Sequence, residues 1–136
     1  LFEHFRCNMN IYYDMIDKIL LKDKTKKFFI STNDDNIKNE IINKYNECII
    51  YHQFDDFNRE SENGVINSII DILSLSKCEF IIGTYYSSFS DEACFFNNIS
   101  KICLPLINRK EEYHTYGYNN SSKCLLYQPS VIRKYF

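Results

Sequence analysis

The segment 78–94, CEFIIGTYYSSFSDEAC, restricts the fold more than any other part of this chain. An apolar run (Phe80, Ile81, Ile82) meets Gly83, crosses a hydroxyl-rich turn (Thr84, Tyr85, Tyr86, Ser87, Ser88) and enters a helix-like stretch. This is a strand, a tight turn and a helix start. The first-turn N–H groups lack intrahelical partners and the helix dipole is positive there, so the turn suits a phosphate. Ser87, Ser88 and Ser90 add hydroxyls to the same place. A second reading fits the same residues: Ser88-Phe89-Ser90-Asp91 has the spacing of a capping box. Asp91 and Glu92 also oppose a diphosphate unless they point away. Spacing leaves both readings open.

Around this segment, helix and strand take turns. Residues 9–22 place Ile11, Met15, Ile19 and Leu20 at helical spacing, and Lys27–Thr32 (KKFFIST without its first lysine) reads as a short buried strand. Asp34 and Asp35 open a second helix whose inner face carries Ile37, Ile41, Ile42 and Tyr45. Cys48–Tyr51 is another short strand, and 52–63 is a polar loop. A third helix is expected from Val65 to Ser76, then a strand over 79–83, a helix over 91–97 and a strand over 101–104. Asn67, Asp71 and Ser74 form the polar stripe of the third helix, which reads as its wet face. Short apolar strands alternating with helices predict an α/β fold, a parallel sheet covered by helices. Residues 107–136, rich in Tyr and Asn, read as an irregular C-terminal extension that wraps back over the sheet.

In such folds ligands bind beyond the carboxyl ends of the strands. Thr32-Asn33-Asp34-Asp35, the 52–63 loop and Gly83–Ser90 all fall there. Their convergence at the default place for a concave site brings anion binding level with the capping reading. Asp34-Asp35 as a metal pair is weaker than the same residues as dipole partners of a helix start, and two carboxylates make a poor Mg²⁺ site. No metal site is expected. Arg59, in Asn58-Arg59-Glu60-Ser61, reads either as a bidentate phosphate contact or as a solvated loop arginine.

At 136 residues the chain is one domain, and its formal charge of −2 gives no reason to expect nucleic acid. With three glycines (Gly64, Gly83, Gly117), it holds neither a GxGxxG loop nor a Walker A loop. His4, His52 and His114 are scattered, and none is tied to a serine by motif. The six cysteines form no CxxC pair, and most sit in apolar stretches. That usage points to a reducing, cytoplasmic setting, or to the Golgi or ER lumen where a longer chain carries an anchor. No stretch reaches transmembrane length. Because the chain starts at Leu1, it reads as a fragment lacking an N-terminal partner domain.

Three blocks in order resemble the donor-binding half of the fucosyltransferase superfamily, which includes α-1,6-fucosyltransferases, nodulation fucosyltransferases and protein O-fucosyltransferases. Phe28-Phe29-Ile30-Ser31-Thr32-Asn33-Asp34-Asp35 is similar to the family's FFLATDD strand end. Arg59, Ser61, Gly64, Asp71, Leu75-Ser76 and Cys78 resemble its second block. Ile81–Ser90 is close to IIGSYYSSFS, the segment that holds the nucleotide's phosphates. The likeness covers residues 27–97. It implies a Rossmann-like C-terminal domain of a GT-B glycosyltransferase, with no cofactor. The implied reaction is inverting, metal-independent transfer of fucose from GDP-fucose to a glycan or protein acceptor. It also implies that Ser87, Ser88 and Phe89 cradle the diphosphate, that Asp71 fixes the nucleotide and that Thr32 and Asp34 line the cleft. The family's HxRR(T/G)D motif has one counterpart here, His4-Phe5-Arg6-Cys7-Asn8, which keeps the histidine and first arginine and lacks the second arginine and the acid. Arg6 is therefore the candidate catalytic residue. The isolated chain is expected to bind donor without transferring it at a useful rate. The alternative is a non-catalytic nucleotide-sugar-binding or interaction module that has lost the arginine motif.

Overall fold

A computed structural model describes residues 8–84, 87–104 and 124–126. Among the described residues four α-helices and five strands take turns as expected for an α/β chain: α1 (Met9–Lys22), β1 (Phe28–Phe29), α2 (Asp35–Tyr45), β2 (Ile49–Ile50), α3 (Glu62–Leu75), β3 (Phe80–Thr84), α4 (Ser88–Asn97), β4 (Ser100–Leu104) and β5 (Cys124–Leu126). Each helix starts on a residue chosen for capping. Asn8, Asp34, Ser61 and Ser87 sit in extended backbone, and each side chain accepts one or two first-turn N–H groups. Asn98 closes α4 in the left-handed region, which asparagine tolerates.

All the described strand pairs are parallel, but they form two sheets, β1-β2 and β3-β4-β5, rather than one. The strand expected over Lys27–Thr32 is ordered as a ladder only at Phe28–Phe29. Ile30 donates to the Ile50 carbonyl, so Phe28 and Ile30 face β2. Alternate residues of a strand address opposite neighbours, and Phe29 alone is too little for a second ladder. Helix α1 joins the two sheets instead. Its Met15 packs with Ile102 of β4, against Phe80 and Ile82 of β3. Its Tyr13 packs with Ile41 of α2 and Ile49 of β2. Lys26, just before β1, pairs with Glu79, just before β3, at 2.6 Å. That contact brings the starting ends of the two sheets together.

Helix α3 begins earlier than expected and lies the other way round. Gly64 and Asp71 are buried, with Asn67, Ser68 and Ser74 half-buried beside them. Val65, Ile66, Ile69, Ile70 and Leu73 are exposed. The stripe read as the wet face is the inner one. Gly64 fits there because a Cβ would fall 2.0 Å from the Asn58 carbonyl oxygen, in the loop under the first turn. No described helix is long and apolar enough to cross a membrane. The described cysteines Cys48, Cys78 and Cys94 are free thiols.

Candidate functional site

Two polar clusters are built just beyond strand ends. The first joins three elements through one carboxylate. Asp71, on the inner face of α3 and 3% exposed, accepts a 2.5 Å hydrogen bond from Ser31 Oγ at Oδ2. Its Oδ1 lies 2.8 Å from His52 Nδ1. Ser31 is two residues past β1 and His52 two past β2, which puts the cluster at the carboxyl ends of that parallel pair.

The His52 ring is held on both sides. Phe29 meets it edge-on at 5.1 Å between centroids, and Phe54 lies at 5.0 Å. Lys38 of α2 donates to the His52 carbonyl at 2.9 Å. A carboxylate oxygen accepts, so Nδ1 carries a proton toward Asp71 and Nε2 is the ring nitrogen left for another partner. About a third of the His52 side chain (34%) reaches solvent, whereas Asp71 does not. The cluster therefore presents an oriented imidazole and a serine hydroxyl, with Asp71 positioning both.

The second cluster lies where β3 enters α4. Ser87 is the N-cap, and its Oγ accepts from Ser90 N at 3.5 Å. The box expected from Ser88 to Asp91 is thus displaced by one residue. Ser88 is exposed in the first turn, Phe89 is half-buried, and Ser90 turns inward, its hydroxyl donating to the Ser87 carbonyl at 3.0 Å. Asp91 is occupied elsewhere. Its Oδ1 meets Lys101 Nζ at 2.6 Å, and that ammonium also reaches the Ser87 carbonyl at 3.4 Å. Lys101 is 3% exposed, so the turn sits on a buried, neutralised ion pair. Of the two carboxylates that sequence set against an anion, Asp91 is offset here and Glu92 is exposed. Gly83 makes the space: a Cβ would stand 2.9 Å from both Lys101 Cε and Ser90 Oγ.

The other expected residues are placed as follows. Thr32 Oγ1 accepts from Asp34 N at 3.1 Å, and Asp34 Oδ1 accepts from Asn36 N and Ile37 N at 3.0 and 3.1 Å. Both are committed to starting α2, directly after Ser31. Arg59 is exposed in the turn before α3, beside a loop in which Asp56 accepts from Ser61 Oγ at 2.5 Å and from Asn58 N at 2.8 Å. Those bonds hold the Asp56 carboxyl below its usual range. Arg6, with His4, and the 107–136 extension apart from β5 lie outside the described residues.

His52, Ser31 and Lys101 were missed by sequence reasoning. The His52–Asp71 pair spans 19 residues between a strand end and a helix, a spacing no motif encodes. Lys101 carried a usable signal, as a lone cation at the head of an apolar strand. No family model, curated protein or solved structure matches this chain.

Proposed function

We propose that the chain is the donor-binding domain of a fucosyltransferase-like glycosyltransferase, a Rossmann-like unit of GT-B type that takes a guanosine diphosphate sugar. The observation that carries this reading is the Ser31–Asp71–His52 cluster at the carboxyl ends of adjacent parallel strands, where α/β folds take their ligands. His52 Nε2 and the Ser31 hydroxyl offer hydrogen-bonding partners to a base or ribose. The start of α4 offers the Ser88 hydroxyl and the positive end of the helix to phosphate oxygens, with Ser87 ordering that turn. Arg59, exposed near the first turn of α3 and in no ion pair with a described residue, is suited to a phosphate. Stabilising a departing diphosphate by fixed donors is an electrostatic task, the kind that preorganised groups perform best. The resemblance of residues 27–97 supplies the sugar, fucose, and the expectation that a second domain holds the acceptor.

Calorimetric titration of the chain with GDP and GDP-fucose, with and without EDTA, tests this. Expected is weak binding that EDTA leaves unchanged and that Asp71→Asn weakens by more than tenfold, roughly 1.4 kcal/mol or more. Binding that requires Mg²⁺, or none at millimolar nucleotide, would overturn it.

A further inference from the structure

Helix α3 is inverted relative to an ordinary surface helix. Its inner stripe is Gly64, Asn67, Ser68, Asp71 and Ser74, while Val65, Ile66, Ile69, Ile70 and Leu73 stand 37% to 49% exposed. Helix α1 of the same molecule shows the usual arrangement, with Met15, Ile16 and Ile19 inward. Five branched apolar residues share one open face, and exposed contiguous apolar patches of a few hundred Å² on single proteins mark interaction sites.

The face is also self-complementary. A two-fold axis through the midpoint between Ile69 and Ile70 sets Ile66 of one copy against Leu73 of the other, and Ile69 against Ile70. The same axis sets Glu62, at the acidic start of the helix, against Lys77, just past its end. Both Glu62 and Lys77 are exposed, and neither is tied up in an ion pair with a described residue. A parallel pairing would instead oppose Glu62 to Glu62 and Lys77 to Lys77.

We infer that the outer face of α3 is a homodimer interface, with α3 packing antiparallel on α3 of a second copy. The occupant is a second copy because a two-fold axis brings the acidic start of each α3 to the basic residue past the end of the other, the self-complementarity on which two-fold interfaces are built. Asp71 faces the other way, so the interface leaves the polar clusters clear.

Sedimentation velocity of the 136-residue chain across micromolar concentrations reads this directly. Expected is a monomer–dimer equilibrium that Ile69→Lys converts to monomer while helix content by circular dichroism is kept. Glu62→Lys alone should weaken the dimer by about three- to tenfold, and so should Lys77→Glu alone. The double variant Glu62→Lys/Lys77→Glu should return the affinity to near that of the parent. A chain that stays monomeric throughout, which would mean that its own segments or another protein cover the face, overturns the inference. So does a dimer indifferent to Ile69→Lys, or one that the double charge reversal fails to restore.

Discussion

A lysine on the middle strand of a three-stranded sheet needs an explanation, because an ammonium is costly to bury without a partner. Lys101 is paired with Ile81 of β3 on one side and Cys124 of β5 on the other. Its side chain runs toward α4, opposite in direction to its neighbour Ile102, which packs on α1. Asp91 and the Ser87 carbonyl are what make the position tolerable. Such a pair is weak evidence for stability as a whole but is expensive to break by halves. Lys101→Met should therefore cost about 3–5 kcal/mol in urea unfolding, since it strands Asp91 under the turn. Lys101→Met/Asp91→Leu should recover most of that loss. If the single variant is as stable as the parent, the ion pair does not hold the α4 start.

At the level of elements, α4 separates two roles that adjacent serines share in the sequence. Ser87 is the cap and Ser88 is exposed in the first turn. Ser87→Ala should lower stability by about 1 kcal/mol, the usual cost of a lost N-cap. Ser88→Ala should change stability by less than about 0.5 kcal/mol, as surface substitutions do, and weaken GDP binding instead. Melting and calorimetry on both variants check this, and unchanged affinity in Ser88→Ala removes that residue from the phosphate site. The helices themselves were legible because caps and apolar spacing agree, as at Asp34 with Ile37 and Ile41. The orientation of α3 was not. Periodicity reveals that Val65, Ile66, Ile69, Ile70 and Leu73 share a face, but only packing decides which face goes inward. Once Asp71 is inside it needs donors, and those lie 40 and 19 residues away, at Ser31 and His52. A site assembled over such separations leaves no local signature, whereas β3 and α4, each built from neighbouring residues, were legible in place if not in their exact ends.

On the scale of the whole molecule, α1 decides whether the two sheets act as one body, because it is common to both apolar clusters. Its seam with α2 is partly polar. Tyr13 donates to Glu40 Oε1 at 2.6 Å and Tyr45 to Asp17 Oδ1 at 2.9 Å, with the Lys44 ammonium 4.3 Å from the centre of the Tyr13 ring. Burial first, then the bond to Glu40 and its charge, push the Tyr13 phenol from 10.0 up to about 12. Burial and the bond to Asp17 push Tyr45 up as well. In both cases folding favours the protonated phenol. The unfolded chain loses its protons first as the pH rises, so the stability these groups contribute is complete below pH 10 and is lost above it, that of Tyr13 by about pH 12 and that of Tyr45 at higher pH still. Urea midpoints measured from pH 8 to pH 12 should hold steady and then fall through that window. Tyr13→Phe should be less stable than the parent at pH 8 by about 1 kcal/mol, through the lost hydrogen bond. It should also fall less steeply above pH 10, because one of the two titrating phenols is gone. A parent and a Tyr13→Phe variant that decline in parallel would place the alkaline sensitivity elsewhere than in the seam that α1 makes with α2.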